Sequence, residues 1–209
     1  MKNFKLVFIA LISLVMVNTS CTKDEDEQVT PQSGDLKTGD VILSRKTDYG
    51  NDWIYYSFEE GKEVDSTNHN TSLTWDIAFN RYNVRTNGGE SGSGQGGAYD
   101  AGEVDFTSVL EANETGYIVD DTILIVEAFT GQGVEYMTST GNDAFKGCIE
   151  MTHGNQGPSY EANDHVYVIK TANGKYAKVW IKGYYSEGGA SGFINMKYAF
   201  QAGDGRKFE

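Results

Sequence analysis

The chain has 209 residues, with 30 acidic against 17 basic side chains and a formal charge of −13. A surface this acidic repels a phosphate backbone and anionic lipid heads, which excludes nucleic acid as a partner. The length suits one domain with a real core, and a hydrophobic content of 39% excludes a disordered chain.

The first segment reads as a processing signal. Lys2 and Lys5 supply a basic start, Leu6–Val17 an apolar run too short to span a bilayer comfortably, and Asn18-Thr-Ser-Cys21 small residues before a cysteine. This resembles a bacterial lipoprotein site, with residues 1–20 removed and Cys21 lipidated as the first mature residue. Removing the leader deletes two lysines and no acid, leaving a charge of about −15. The acidic Thr22–Gln28 run fits a surface-export signal or a solvated tether, and residues 21–40, with Pro31, Gly34 and Gly39, read as a flexible linker. Cys148 is then left without a disulfide partner and is expected to be a small buried hydrophobe.

The domain is assigned to residues 41–209. Val41–Ser44 and Trp53–Phe58 are rich in β-branched and aromatic residues and predict strands. Trp75–Val84 alternates, placing Trp75, Ile77 and Phe79 on one face. Thr122–Phe129, a turn at Gly131-Gln-Gly133 and Val134–Met137 form a hairpin. His165–Thr171 and Lys175–Tyr185 flank Asn173-Gly174, a strong hairpin signal. Ile194, Met196, Tyr198 and Phe200 make one apolar face of the last strand. Helix is confined to one short piece near Phe106–Ala112. With many Tyr and Gly, few Pro and no sustained 3.6 period, these elements predict an all-β fold of two packed antiparallel sheets, sandwich-like, with long loops.

Gly92-Ser-Gly94-Gln-Gly-Gly97 matches a dinucleotide-binding glycine motif by letter. That motif works by turning a strand onto a helix N-terminus, and no amphipathic helix or βαβ unit follows here. The run therefore predicts a loop whose backbone packs closely or adopts positive φ, with Asn87 and Ser91 able to hydrogen-bond to it. No nucleophile elbow, H-E-x-x-H pattern or zinc-ligand spacing is present, so neither a catalytic nor a zinc site is supported by the motifs.

Trp53-Ile-Tyr-Tyr-Ser-Phe58 with Gly61, Leu73-Thr-Trp-Asp-Ile-Ala78, Arg81-Tyr-Asn-Val-Arg85 and Asn87-Gly-Gly-Glu-Ser-Gly92 into Gly96-Gly-Ala98 resemble the HmuY family. His153-Gly-Asn-Gln-Gly-Pro-Ser-Tyr160 followed by Val166-Tyr-Val168 does so as well. The resemblance runs from about Trp53 to Phe200. It implies an HmuY-type β domain and a surface lipoprotein that binds haem (iron protoporphyrin IX) and is not an enzyme. Such a protein is held to the outer membrane through the lipid on Cys21 and can be shed as a haemophore. It takes haem from host carriers and delivers it to a TonB-dependent outer-membrane receptor.

In the family, two side chains from different loops clamp the iron. His153 stands where one His ligand does, with Gly157, Pro158 and Tyr160 at matching spacing. The other His precedes a Glu-Tyr pair. Here that pair is Glu135-Tyr136 and the preceding position falls at about Gln132, a poor iron ligand, so Met137 is the candidate thioether. Alternation places Met137 with Glu135, opposite Val134 and Tyr136, and places His153 with Ile149 and Met151. Met151 is a further candidate and Tyr160 a cofactor contact. His165, His69 and Met196 read as surface, loop and core residues. Lys146, Arg85 and Tyr160 are candidates to receive the propionates. Two alternatives stand beside haem capture: a carbohydrate-binding or adhesive surface module using Tyr and Trp platforms, and a family member with altered or lost haem ligation. Met137 facing His153 across a cleft would favour haem, whereas Trp and Tyr lining a flat groove would favour sugar.

Overall fold

The computed structural model describes residues 35–45, 50–65, 67–155 and 157–209. The leader, Cys21 and the linker up to residue 34 lie outside the described residues. Strand β1 spans Leu36–Ile42, and so begins inside the stretch that composition marks as linker. It is followed by β2 (Ile54–Ser57), β3 (Lys62–Val64), β4 (Ile77–Asn80), β5 (Asn83–Thr86) and β6 (Gly97–Glu103). Then come β7 (Asp121–Thr130), β8 (Gly133–Gly141), β9 (Ile149–Gly154), β10 (Gly157–Ala162), β11 (His165–Lys170), β12 (Tyr176–Tyr185) and β13 (Ser191–Gln201). The helix expected near Phe106–Ala112 is a single 3₁₀ turn, Phe106–Ser108.

The fold is all-β and antiparallel, as expected. A five-stranded sheet runs β1-β13-β12-β11-β6 and a four-stranded sheet β3-β2-β4-β5, while β7-β8 and β9-β10 form separate two-stranded ladders. The main core lies between the two large sheets. Tyr56, Phe58, Ile77 and Phe79 from one meet Tyr167, Ile169, Val179, Ile181, Met196, Tyr198 and Phe200 from the other. The last strand contributes Ile194, Met196, Tyr198 and Phe200, all buried, as its alternation predicts.

Two local readings are corrected. The run from Trp75 to Val84 is not one strand. It folds back at Arg81, whose φ of 58° turns the chain between β4 and β5. Trp75 precedes the strand and does not share the face of Ile77 and Phe79. It joins Trp53, Tyr55 and Ala78 in a second cluster on the other side of the sheet, its indole N–H donating 2.7 Å to the His69 carbonyl. Period-2 reasoning holds only while the backbone is extended, and it is not yet extended at Trp75.

The glycine run forms a tight loop around Asn87, which is fully buried. The Asn87 amide donates to the carbonyls of Ser72 and Trp75, both at 2.8 Å. Its carbonyl oxygens accept from Gly94 N (3.1 Å, side chain) and Gly96 N (2.7 Å, backbone). A Cβ on Gly96 would stand 2.5 Å from the Asn87 carbonyl carbon, so close approach is what requires glycine there. Positive φ, the other alternative, does not occur within Gly92–Gly97, the nearest case being Gly89 at 56°.

Candidate functional site

The two small hairpins hang from different layers. β8 lies beside β5 of the four-stranded sheet, and β10 beside β12 of the five-stranded one. Arg85 on β5 fastens the first hairpin: its guanidinium donates to Thr140 O at 3.0 Å and Ser139 Oγ at 2.9 Å. On the other side Tyr160 N donates to the Tyr185 hydroxyl at 2.9 Å. The ring of Tyr160 lies 4.8 Å from that of Tyr184. A cleft opens where the two hairpins diverge.

Each wall follows from strand alternation. In the β9–β10 ladder His153 pairs with Pro158 and Met151 with Tyr160, so these four share the face toward the cleft. Glu150, Thr152, Ser159 and Glu161 take the other face, where Thr152 and Ser159 hydroxyls meet at 2.6 Å. In the β7–β8 ladder Val126 pairs with Tyr136 and Phe129 with Val134, across a register shift between Val126 and Ala128. These four form the facing wall. Arg81 and Tyr82, in the turn between β4 and β5, complete a cleft of about 440 Å³.

The cleft is apolar and aromatic, with few polar groups. Phe129, Val134, Tyr136 and Met151 are all exposed, Tyr136 by 59%. Large apolar side chains grouped in the open in this way are characteristic of contact surfaces. The Arg81 guanidinium sits 5.3 Å from the Tyr82 ring centroid and 5.7 Å from that of Phe129. Tyr82 and Tyr160 also pack onto the main core, which ties the cleft to rigid structure. Beyond Tyr82 the cleft continues into a second hollow of about 510 Å³ lined by Thr122, Leu124, Asn142, Lys146 and Ile149 among others. The two share Tyr82 and run along one face of β7 (Thr122, Leu124, Val126) and of β9 (Ile149, Met151, His153).

Of the residues singled out from the sequence, His153, Met151 and Tyr160 come together in this cleft. Met137 does not join them. It is half-buried on the β8 face opposite Val134 and Tyr136, with its Sδ beside Gly50. Met137 and His153 therefore do not face each other across the cleft, the arrangement that would have favoured haem over sugar. Among the propionate candidates Lys146 lines the adjoining hollow, whereas Arg85 is buried over the Trp53 ring at 3.9 Å and faces no cleft. The His165 ring Nδ1 hydrogen-bonds the Asp100 carboxylate at 2.9 Å, His69 lies near the Tyr55 ring, and Met196 is core. Cys148 is buried, and burial pushes its thiol up to about 12. Trp53 and Trp75 are buried too, so neither offers an indole platform to a sugar.

Among the described residues no group of three or more His, Cys, Asp or Glu converges to hold a bare metal ion. The donors in the cleft are one imidazole, one thioether and phenols, set in apolar walls. Such a set suits a metal already carried by an apolar chelate.

The sequence matches the family described as HmuY protein over residues 49–198. The chain belongs to the HmuY family. Solved structures of similar fold include a candidate HmuY-like haem-binding protein from Bacteroides vulgatus, 26% identical with a TM-score of 0.60, over 77% of this chain and 90% of that one. The apo HmuY analog of Tannerella forsythia is 18% identical with a TM-score of 0.62, over 79% and 96% of the two chains. Apo PinO, from Porphyromonas, is 19% identical with a TM-score of 0.59, over 79% and 97%. No curated protein sequence matches the chain.

Against this HmuY frame, Tyr136, Val134, Phe129 and Arg81 are cleft residues that sequence reasoning passed over. A signal was present for the first two. They alternate with Glu135 and Met137 and so make an apolar face on an otherwise polar strand.

Proposed function

We propose that this protein binds haem in the cleft between the β7–β8 and β9–β10 hairpins. The observation that carries the reading is the placement of His153, Met151 and Tyr160 on one wall of an apolar, aromatic cleft in an HmuY-family chain. Haem presents a flat apolar ring, an iron that accepts axial donors and two anionic propionates. The cleft answers each in turn. Aromatic and aliphatic walls take the ring, and the His153 imidazole supplies a ligand from β9. Arg81 at the floor and Lys146 in the adjoining hollow are the cations that could receive the carboxylates in an acidic protein.

Haem is cargo in this reading, and the protein acts as a haemophore without catalysis. Cys21 anchors it by lipid to the outer membrane, facing outward, where it takes haem from carriers and gives it to an outer-membrane TonB-dependent receptor. The openness of the cleft supports such a transfer, because a ligand held between two hairpins can leave without unfolding the core.

Titration of the mature domain with haemin, followed at the Soret band, tests the reading. Wild type shifts the band at micromolar haemin, and His153→Ala weakens binding about tenfold or more while keeping the fold. Because a protonated imidazole has no lone pair left for iron, acid competes with haem for His153 and wild-type affinity falls on acidification. A wild-type protein that leaves the Soret band of free haemin unchanged sinks the proposal.

A further inference from the structure

Resting on the haem reading above, the geometry leads to a statement about the second side of the iron. Haem iron can accept a donor on each face of the ring, and two walls can each offer one. On the β9–β10 wall Met151, His153 and Tyr160 share one face of one ladder. They all approach from the same side and cannot stand opposite one another. On the facing wall Val126, Phe129 and Val134 have no donor atom. Tyr136 has one. Its position in the ladder, paired with Val126 and one step beyond Val134 on the same face, points its ring into the cleft. The residue is 59% exposed, and no other described residue engages its hydroxyl, so no hydrogen-bonding role accounts for it. Tyr82, the other phenol nearby, is a floor residue. Its ring lies under the Arg81 guanidinium and packs onto the core. Met137, the donor expected from the sequence, is turned to the far face of β8.

We infer that Tyr136 is the axial ligand on the β7–β8 wall, binding ferric haem as a phenolate opposite His153. As the Fe–O bond forms, the phenol gives its proton to solvent and no electron is transferred. Charge favours this arrangement. A ferric porphyrin core carries one positive charge, which two neutral donors would leave uncompensated between apolar walls. A phenolate cancels it at bonding distance, and the Arg81 cation, 5.7 Å from the neighbouring Phe129 ring, favours an anion on that wall. With ferrous haem the same phenolate would leave a net negative core. The site is therefore built for the ferric state, and reduction loosens the β7–β8 side.

The test is spectroscopic and uses the haem-loaded mature domain. Resonance Raman excitation in the visible charge-transfer region shows iron-bound phenolate modes in wild type. Tyr136→Phe, which keeps the ring and the wall, loses them and weakens ferric haem binding about tenfold or more. Tyr136→His gives a low-spin bis-imidazole spectrum, because the position reaches the iron. Wild-type haem binding without phenolate modes, or a Tyr136→Phe protein with unchanged spectrum and affinity, overturns the assignment and leaves haem binding itself standing. A wild-type protein that binds no haem fails the broader reading instead.

Discussion

Asp76 shows how a single buried residue joins the two layers. Its carboxylate accepts from Phe58 N at 2.9 Å and from Ala172 N at 3.2 Å, linking the turn after β2 to the turn after β11. Burial, only partly offset by these amides, pushes its carboxyl up to about 6. Asp120, which accepts from Thr86 and Asn142, is displaced in the same direction for the same reason. A carboxyl whose folded pKa exceeds its unfolded one binds its proton more tightly in the folded state. Its contribution to stability is fully present below the ordinary carboxylate range and is lost as the pH rises through about 6. Denaturant melts of wild type against Asp76→Asn, which lacks the titration, check this. The difference should move in favour of wild type on acidification from neutrality, by about 2–3 kcal/mol in all. A pH-independent difference would contradict it.

At the scale of elements, the loop from Asn87 to Gly97 and the two hairpins have separate tasks. The loop is a structural knot, with Asn87 bonded to both its flanks and glycines pressed against its backbone. Gly96→Ala would drive a methyl into the Asn87 peptide and should lower stability by about 3 kcal/mol. Haem affinity of the folded fraction should stay within about twofold, since the loop lines neither hollow of the cleft. Thermal melts paired with haemin titration separate the two effects. A selective loss of haem affinity with unchanged stability would show that the loop touches the ligand. The hairpins, in contrast, spend their inner faces on the cleft and leave large apolar side chains in water, which is a poor arrangement for stability alone.

For the whole molecule, the cleft lies where two layers part. One wall is carried by the four-stranded sheet through Arg85 and the other by the five-stranded sheet through Tyr185. A ligand gripping both walls couples elements that otherwise touch little. Haem should therefore slow amide hydrogen exchange in both hairpins together, while the core strands β12 and β13 change little. At a hundredfold excess over its dissociation constant it should add about 2.7 kcal/mol to stability. Protection confined to one hairpin would indicate one-sided binding and argue against a ligand bridge.

Much of this protein is written in local pattern. Alternation in Lys175–Tyr185 and Ile194–Phe200 determines strands and their core faces, because a pleated strand puts every second side chain on one side wherever it runs, whereas the β-branched run Thr122–Phe129 marks a strand without fixing its buried face, Ile125 and Val126 both being buried beside a register shift. The same rule puts Met151 and His153 on one face of β9 before any partner is known. Asn173-Gly174 determines its hairpin for an equally local reason, Gly174 adopting φ of 79°. The family strings around Trp75 and His153 determine kinship. What the tertiary structure alone decides is everything that depends on distant contacts. It turns the chain at Arg81 inside an unbroken alternating run, moves Trp75 to a second core, and hangs the two hairpins from different sheets. It also decides which donors meet: Met137 is turned away while Tyr136 faces the wall of His153. A strand's pattern sets which residues share a side, but only long-range packing sets what that side confronts.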